Sequence, residues 1–344
     1  MLLSLATLIL AAVLIYISCE LFVNGIEWVG RKFNIADSAV GTVLAAFGTA
    51  LPESVVTFMA VAFGASAHQK DIGVGAALGG PLILSTVAYA VVGWSIKASQ
   101  PEGPAKGGLA VDGGKLARDQ LWFLSIFAAN ALLGLVAFPG KKFAAIVFVA
   151  AYAWYCLREM RSTAAAGEKM LEPLKFRPRQ RVPETGWVLG QTFAALGLIF
   201  IGSQLFVNRL ELISASFGIA PHMISLLLSP LATELPETLN AVIWVRQGKV
   251  GLALSNISGS MMVQATIPSA LGIYFTPWRF DEYLILSVAV TMLSISFLWL
   301  TLKRGRFSAG RLSYAALFYL VFAVAAYLCY NLSVQNLVMD GWFR

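Results

Sequence analysis

Two glutamates stand inside apolar sequence, each directly after a proline. Glu53 ends the segment LFVNGIEWVGRKFNIADSAVGTVLAAFGTALPE, which starts at Leu21, and Glu237 ends LFVNRLELISASFGIAPHMISLLLSPLATELPE, which starts at Leu205. The segments align without a gap, so the two glutamates are equivalent positions of an internal repeat. A carboxylate at the centre of a membrane helix costs about 2.5–3.5 kcal/mol and is retained where it faces a cavity or a bound ion. The repeat therefore predicts a pair of cation-binding carboxylates.

The residues next to these glutamates are suited to the same chemistry. Pro52 and Pro236 have no N–H to give to the preceding turn, which leaves carbonyl oxygens in need of other partners. Thr49 and Thr233 lie four residues before the glutamates and hence on the same helix face. Each copy can offer a carboxylate, a hydroxyl and loosened carbonyls, which are the hard oxygen ligands that Ca²⁺ prefers.

The second copy carries an additional acid. Glu234 lies three residues before Glu237, where the first copy has Ala50. Two carboxylates this close repel each other unless a cation lies between them or one of them is protonated. Glu234 is therefore expected to belong to a divalent-cation site or to a proton-binding site.

A second feature follows in each half. Residues 75–81 (GAALGGP) and 255–261 (SNISGSM) are rich in small residues, and we expect each to interrupt its helix. In the second half Asn256, Ser260 and Gln264 recur at four-residue spacing, so they form one polar face. That face is expected to line the cation site.

The composition identifies the elements that must position these groups. Of the 344 residues 58% are hydrophobic and only 12% are charged, against roughly 25% charged in soluble domains. The net charge of +7 comes from basic residues in the links between apolar runs, which is typical of topology signals and not of nucleic-acid binding. The three cysteines are too scattered for a disulfide framework or a metal site.

Ten apolar runs qualify as membrane-spanning helices. They are Leu2–Val23, Ala36–Phe63, Ile72–Ile96, Leu121–Phe138, Phe143–Leu157, Trp187–Val207, Pro221–Val245, Val250–Thr276, Tyr283–Leu302 and Leu312–Leu332. The expected organisation is a first five-helix repeat at 1–157, a cytoplasmic linker at 158–186 and a second five-helix repeat at 187–344. Because five is odd, the repeats enter the membrane from opposite sides. The expected fold is an all-α integral membrane protein of ten transmembrane helices in two inverted repeats, with proline-broken core helices.

The basic residues also predict an orientation. With both termini outside, most of the 25 Lys and Arg residues fall in the inner links, as the positive-inside rule requires. The 158–186 linker is the most basic of these links and is expected to touch anionic lipid.

At these residues the chain resembles the cation/calcium exchanger superfamily, especially the prokaryotic sodium/calcium exchangers. The family repeats a Gly-Thr-Ser-x-Pro-Glu motif, which reads GTALPE at 48–53 and ATELPE at 232–237. The resemblance implies backbone-carbonyl ligands at Ala46 and Pro230. It also implies that the first and sixth spans slide against the proline-broken helices during transport.

The chain departs from the family at several ligand positions. Ala50 and Glu234 replace the motif serine, and the Gly-Ser-Asn motif of the next helix reads Gly-Gly-Pro at 79–81, so that Gly80 stands for its serine. The family has further polar ligands one turn after this motif, and their positions are occupied here by Leu84 and Gln264. The first half thus lacks three side-chain ligands, which favours a single divalent site exchanged for protons, or for fewer sodium ions.

The sequence therefore predicts a secondary antiporter of a prokaryotic inner membrane that exports Ca²⁺ in exchange for H⁺ or Na⁺. The expected cation ligands are Glu53, Glu237, Glu234, Thr49, Thr233, Ala46, Pro230, Ser260, Gln264 and Asn256. Two alternatives remain: a monovalent cation/proton antiporter, and a transport-deficient paralogue acting as a sensor or structural subunit. No enzyme activity, permanent cofactor, nucleic acid or ATP is expected, and the chain is expected to be a monomer.

Overall fold

The structure is a computed structural model that describes residues 2–32, 50–99, 113–162, 171–246, 248, 250–304 and 307–342. Within these ranges all regular elements are helices, which confirms the all-α expectation for this part of the chain. They are α1 (Leu2–Lys32), α2 (Leu51–Phe63), α3 (Ala67–Ile83), a π-helical turn (Leu84–Ala88), α4 (Tyr89–Ser99), α5 (Gly113–Leu135), a 3-10 turn (Lys141–Phe143), α6 (Ala144–Ser162), α7 (Thr185–Phe217), α8 (Pro221–Thr233), α9 (Leu235–Arg246), α10 (Val250–Phe275), α11 (Glu282–Lys303), α12 (Ala309–Ser313) and α13 (Ala315–Trp342).

Several of these helices are suited to a membrane. Among the described residues, five stretches are long and apolar enough to cross one: Ser4–Lys32, Ala67–Ser99, Thr185–Phe217, Glu282–Lys303 and Ala309–Tyr330. Large apolar side chains are exposed on helix surfaces, for example Leu10 (63% exposed) and Ile146 (65% exposed). Exposed apolar surface of this kind is suited to lipid. The number of ten spans and their inverted arrangement remain predictions.

The helices form two compact units, and both units contain helices from both halves of the sequence. The first unit comprises Met1–Ala77, Gly140–Leu235 and Thr266–Pro277. The second unit comprises Leu78–Pro139, Pro236–Ala265 and Trp278–Arg344. The sequence-based boundaries at 157 and 187 describe the repeat, and they remain predictions.

In the first unit α1 and α7 run antiparallel and in close contact. A Cβ atom on Gly25 would lie 2.5 Å from the Thr192 hydroxyl, and one on Gly202 would lie 3.1 Å from Ile15. From Ile15 to Gly25 the residue numbers rise along α1, whereas those of the contacting residues in α7 fall from Gly202 to Thr192, so the helices are antiparallel. The apolar core between the helices includes Leu8, Ile15, Ile199, Phe206 and Leu210, all buried. Since α1 and α7 each carry one LFVN motif, the two copies of the repeat meet here.

In the second unit the π-helical turn is stabilised by a neighbouring helix. Pro81 lies inside α3 one turn earlier and has no N–H to donate. The Ser294 hydroxyl of α11 donates to the Ser85 carbonyl at 2.7 Å. The hydroxyls of Ser85 and Thr86 both donate to the Leu82 carbonyl. Side-chain hydroxyls therefore satisfy carbonyl groups at this irregular turn.

The expected helix breaks at the two small-residue segments are wrong. α3 runs through residues 75–80, and α10 runs through residues 255–261. The small residues act instead by letting neighbours approach closely. A Cβ atom on Gly75 would lie 2.3 Å from the His222 carbonyl oxygen at the start of α8.

A break does occur at the repeated Pro-Glu motif of the second half. α8 ends at Thr233, Glu234 is its C-cap, and α9 begins at Leu235. Because Pro236 has no N–H, it cannot close the turn onto the Ala232 carbonyl. In the first half α2 begins at Leu51 with Pro52 in its first turn, after Ala50 as N-cap. Residues 33–49, which include Ala46 and Thr49, lie outside the described residues.

Candidate functional site

The first unit brings two acids and a threonine together. Glu53 lies in the first turn of α2, Thr233 is the last residue of α8, and Glu234 follows it. The Thr233 hydroxyl donates to Glu53 Oε2 in a short hydrogen bond. It also lies 3.5 Å from Glu234 Oε1 and 3.0 Å from the Ser229 carbonyl oxygen. One hydroxyl proton therefore faces three oxygen acceptors.

Because this cluster is buried, its carboxylates need a bound cation or a proton. Glu53 and Glu234 are each 1% exposed, and Thr233 is 5% exposed. Two ionised carboxylates around one hydroxyl are strongly unfavourable without water, because neither charge is solvated and the two repel. A divalent cation bound by both carboxylates, or a proton on one of them, removes that penalty. The arrangement is therefore suited to exchanging a cation for protons.

The local backbone explains why the carboxylates are where they are. Glu53 lies in the first turn of α2 and Glu237 in the first turn of α9. The partial positive charge of a helix N-terminus favours an anionic group by about 0.3–1 kcal/mol in exposed positions. The N-terminus of each of these helices is thus a place where a buried carboxylate is better tolerated.

The second unit holds the other repeated glutamate. The Ser260 hydroxyl of α10 donates to Glu237 Oε1 at 2.7 Å, and both residues are 1% exposed. Gln264, one turn further along α10, is fully buried, whereas Asn256, one turn earlier, is partly buried. The structure therefore places Glu237 in contact with the polar face of α10 at Ser260.

Gln264 also explains a glycine in α3. A Cβ atom on Gly80 would lie 2.6 Å from Gln264 Oε1 and 2.9 Å from its Cδ. The amide of Gln264 thus occupies the space that a side chain at position 80 would need. A glycine at position 80 therefore fits sterically with glutamine at position 264, whereas the serine of the family motif would not.

The remaining expected ligands are placed as follows. The Pro230 carbonyl accepts a hydrogen bond from the Glu234 N–H at 2.9 Å, so it is engaged in the last turn of α8. Leu84, where the sequence lacks a ligand, is fully buried in the π-helical turn. Among the described residues no group of three or more His, Cys, Asp and Glu side chains could hold a metal ion.

Two buried polar residues one turn away from the cluster were not predicted from the sequence. Thr57, four residues after Glu53, and Ser229, four residues before Thr233, are fully buried. Their hydroxyl oxygens have no hydrogen-bond partner among the residues that the structure describes. Their four-residue spacing from the motif residues is the signal that could have identified them.

The asparagines of the LFVN repeat have structural roles that the sequence did not predict. Asn208 accepts a hydrogen bond from Gln69 at 2.8 Å, and Gln69 and Ser66 both donate to Glu211. These contacts attach the link between α2 and α3, and the first turn of α3, to α7. The equivalent Asn24 instead contacts the backbone of Glu172, Pro173 and Lys175.

Comparison with known proteins identifies the family. A family model described as "Sodium/calcium exchanger protein" matches residues 3–160 and 187–331. An uncharacterized membrane protein of Methanocaldococcus jannaschii is 24% identical over 78% of this chain and 80% of its own length. The inner membrane protein YrbG of Escherichia coli is 26% identical over 82% of each chain.

Solved structures share the fold. The crystal structure of the H⁺/Ca²⁺ exchanger CAX superposes with a TM-score of 0.69 at 18% identity, covering 93% of this chain and 82% of that chain. A structure of the sodium-calcium exchanger NCX_Mj gives a TM-score of 0.56 at 21% identity, covering 94% of this chain and 98% of that chain. The resemblance noted from the paired Pro-Glu motifs is confirmed, and the matched family and these two structural neighbours are exchangers and not enzymes. The chain belongs to the sodium/calcium exchanger family of membrane proteins.

Proposed function

We propose that the protein is a secondary antiporter that exports Ca²⁺ in exchange for H⁺ or Na⁺. The observation that carries this proposal is the burial of Glu53 and Glu234 around the hydroxyl of Thr233. One Ca²⁺ balances two carboxylates, and protons can balance them when the Ca²⁺ has left. The same cluster thus supports the binding of either ion.

The proposed ligands are those expected from the sequence. In the first unit they are Glu53, Thr233, Glu234 and the carbonyl of Pro230, with Thr49 and Ala46 in the part that the structure does not describe. In the second unit they are Glu237, Ser260, Gln264 and Asn256. Carboxylate, hydroxyl, amide and carbonyl oxygens can supply the about six to eight ligands that Ca²⁺ takes.

We propose protons as the main coupling ion. Ala50, Gly80 and Leu84 carry no oxygen in their side chains, and Gln264 fills the space beside Gly80. The first half therefore has few groups left to coordinate several sodium ions. Glu234 adds a carboxylate that can take up a proton. The names of the structural relatives include both an H⁺/Ca²⁺ and a sodium-calcium exchanger, so the fold alone does not select the coupling ion.

The proposed architecture has ten spans in two inverted five-helix repeats. The antiparallel contact of α1 with α7 supports it, because equivalent helices of inverted repeats must cross the membrane in opposite directions. We further propose that both termini lie outside a prokaryotic inner membrane, and that the chain works as a monomer in contact with lipid. No nucleotide is included, since ion gradients drive a secondary antiporter.

The deciding experiment is Ca²⁺ flux into proteoliposomes under separately imposed gradients. Protein-dependent uptake driven by a pH gradient is the expected result, and liposomes without protein are the control. Absence of Ca²⁺ flux together with Na⁺/H⁺ exchange would instead establish the monovalent antiporter. No flux of any cation by folded protein would establish the transport-deficient paralogue.

A further inference from the structure

A segment between the two halves of the sequence is attached firmly to the helices on which it lies. We call residues 171–184 the strap. The strap contains no helix or strand, three of its residues are prolines (Pro173, Pro178 and Pro183), and two turns are closed by backbone hydrogen bonds from Arg177 to Leu174 and from Gln180 to Arg177. The family model stops at residue 160 and resumes at residue 187, so the strap lies outside the part that the family shares.

Buried amides hold the strap on α1. Asn24 Oδ1 accepts from the Lys175 N–H at 3.0 Å, and its Nδ2 donates to the carbonyls of Glu172 and Pro173 at 3.4 Å. Trp28 Nε1 donates to the Glu172 carbonyl at 2.9 Å. These bonds fix the backbone of the strap against the second half of α1.

The same amides connect the strap to α7. Gln191 Oε1 accepts from the Phe176 N–H at 2.8 Å, while Gln191 Nε2 donates to Asn24 Oδ1 and to the Leu21 carbonyl, both at 2.9 Å. Leu174 is fully buried in a small core with Trp28 and Val188. The strap, α1 and α7 are therefore linked by one buried network in the first unit.

The outer surface of the strap has a different character. Arg177, Arg179 and Arg181 are exposed, and the Arg177 guanidinium lies 3.8 Å from the centroid of the Trp187 ring in the first turn of α7. Phe176 and Val182 expose 41% and 63% of their surface. The acids of the strap are Glu172, which pairs with Lys175 at 3.0 Å, and Glu184 at the N-cap of α7. The surface is thus a cluster of arginines with apolar and aromatic side chains between them, directly before a helix long enough to span a membrane.

We propose that the strap is a binding surface for the headgroups of anionic lipids, and that it transmits lipid binding to α1 and α7. Arginines match lipid phosphates, and Trp187 and Phe176 are suited to the interface between headgroups and acyl chains. A soluble polyanion would not use the exposed apolar side chains. The lipid-binding part is independent of the proposed function, whereas its effect on transport rests on that function.

The test separates binding from transport. Purified protein is titrated with fluorescent phosphatidylglycerol, and with fluorescent phosphatidylcholine as the neutral lipid. In the strap variant Arg177, Arg179 and Arg181 are each changed to Gln. The control variant loses the same charge from exposed positions outside the strap, by Lys97→Gln, Arg118→Gln and Arg304→Gln. Each basic residue near an anionic membrane raises the binding constant by a factor of about five. We therefore expect the strap variant to bind phosphatidylglycerol at least about tenfold more weakly than the control variant. Equal affinity of the two variants would overturn the proposal.

The transport measurement uses vesicles of phosphatidylcholine with and without about one third phosphatidylglycerol, a fraction chosen to give the surface potential of an anionic leaflet. We expect phosphatidylglycerol to stimulate cation flux by the wild type and by the control variant, but not by the strap variant. Loss of lipid binding with unchanged stimulation would show that the strap is not coupled to α1 and α7. If no protein transports cations while the binding difference persists, the proposed function fails and the lipid-binding surface stands.

Discussion

The cation binding proposed for this protein depends on where single oxygen atoms are placed. Thr233 presents one hydroxyl proton to Glu53, Glu234 and the Ser229 carbonyl. The sequence identified Glu53 and Thr233 from their positions in the repeat, and Glu234 as an additional acid three residues before Glu237. It could not show that a threonine of one copy bonds the glutamate of the other, since that contact joins residues far apart in the chain.

The carboxylates themselves are tested by neutral replacements of the same shape. We expect Glu53→Gln and Glu237→Gln each to lower Ca²⁺ flux by at least about tenfold, since interactions with a charged group are worth about 1.5–3 kcal/mol. Flux is measured in proteoliposomes, and folding is checked by the melting temperature. Glu20→Gln is the matched control, because Glu20 is an exposed acid of α1 that accepts from Tyr16 at 2.7 Å. Wild-type flux in either site variant would show that its carboxylate has only a structural role.

The pair formed by Gly80 and Gln264 makes a second prediction. We expect Gly80→Ala to weaken Ca²⁺ binding, because the new methyl group would displace an amide now 2.6 Å away. Gly259→Ala is the control, since a Cβ atom there meets nothing within 4 Å. The double variant Gly80→Ala with Gln264→Ala should lose less Ca²⁺-binding free energy than the sum of the losses in the two single variants. The expected coupling energy is about 0.5–3 kcal/mol. Additive effects on the affinity would contradict the steric account.

At the scale of elements, the apolar runs predicted helices that the structure contains. They did not predict correctly where those helices are interrupted and where they continue. The break at Glu234 follows from the missing N–H of Pro236. Because this effect is local, it can be predicted from the sequence. The segments 75–81 and 255–261 were expected to break their helices, yet α3 and α10 continue through them. Glycine permits either a break or a close contact, and the choice depends on neighbours such as His222 and Gln264 that the local sequence does not reveal. The π-helical turn at Leu84–Ala88 likewise depends on Ser294 of a distant helix.

The break between α8 and α9 has a direct test. Pro236→Ala supplies an N–H for the Ala232 carbonyl and allows the two helices to join. We expect a higher melting temperature and a clear loss of flux, because Glu237 would leave the first turn of a helix. Pro221→Ala is the control, since Pro221 stands in the first turn of α8, where proline is tolerated. Full flux in the Pro236 variant would mean that the break is not needed for transport.

At the scale of the whole molecule, the central prediction concerns the coupling ion. We expect Ca²⁺ uptake to respond more strongly to a pH gradient than to a sodium gradient, because the first half lacks oxygen ligands at Ala50, Gly80 and Leu84. Uptake is compared under a pH gradient without sodium and under a sodium gradient at fixed pH. A steep, saturable dependence on sodium would show that several sodium ions still bind, and the reading of the lost ligands would then be wrong.

Glu234 is tested in the same assay. Glu234→Ser places the family residue beside Thr233 and removes one of the two buried carboxylates. We expect this variant to lose the response to the pH gradient, to bind Ca²⁺ more weakly, or both. Unchanged coupling together with unchanged Ca²⁺ affinity would show that Glu234 takes no part in ion binding.

The contact between α1 and α7 has a consequence for half of this chain. The two helices are copies of one another, and they pair antiparallel, with Gly25 beside Thr192 and Gly202 beside Ile15. An antiparallel contact between two equivalent helices has the geometry of an isologous contact, as in a two-fold symmetric dimer. A polypeptide containing only one repeat would need a second molecule, with its helix antiparallel to the first, to cover the same apolar surface. The surface that closes the core inside one chain would therefore serve as a dimer interface in a half-length protein.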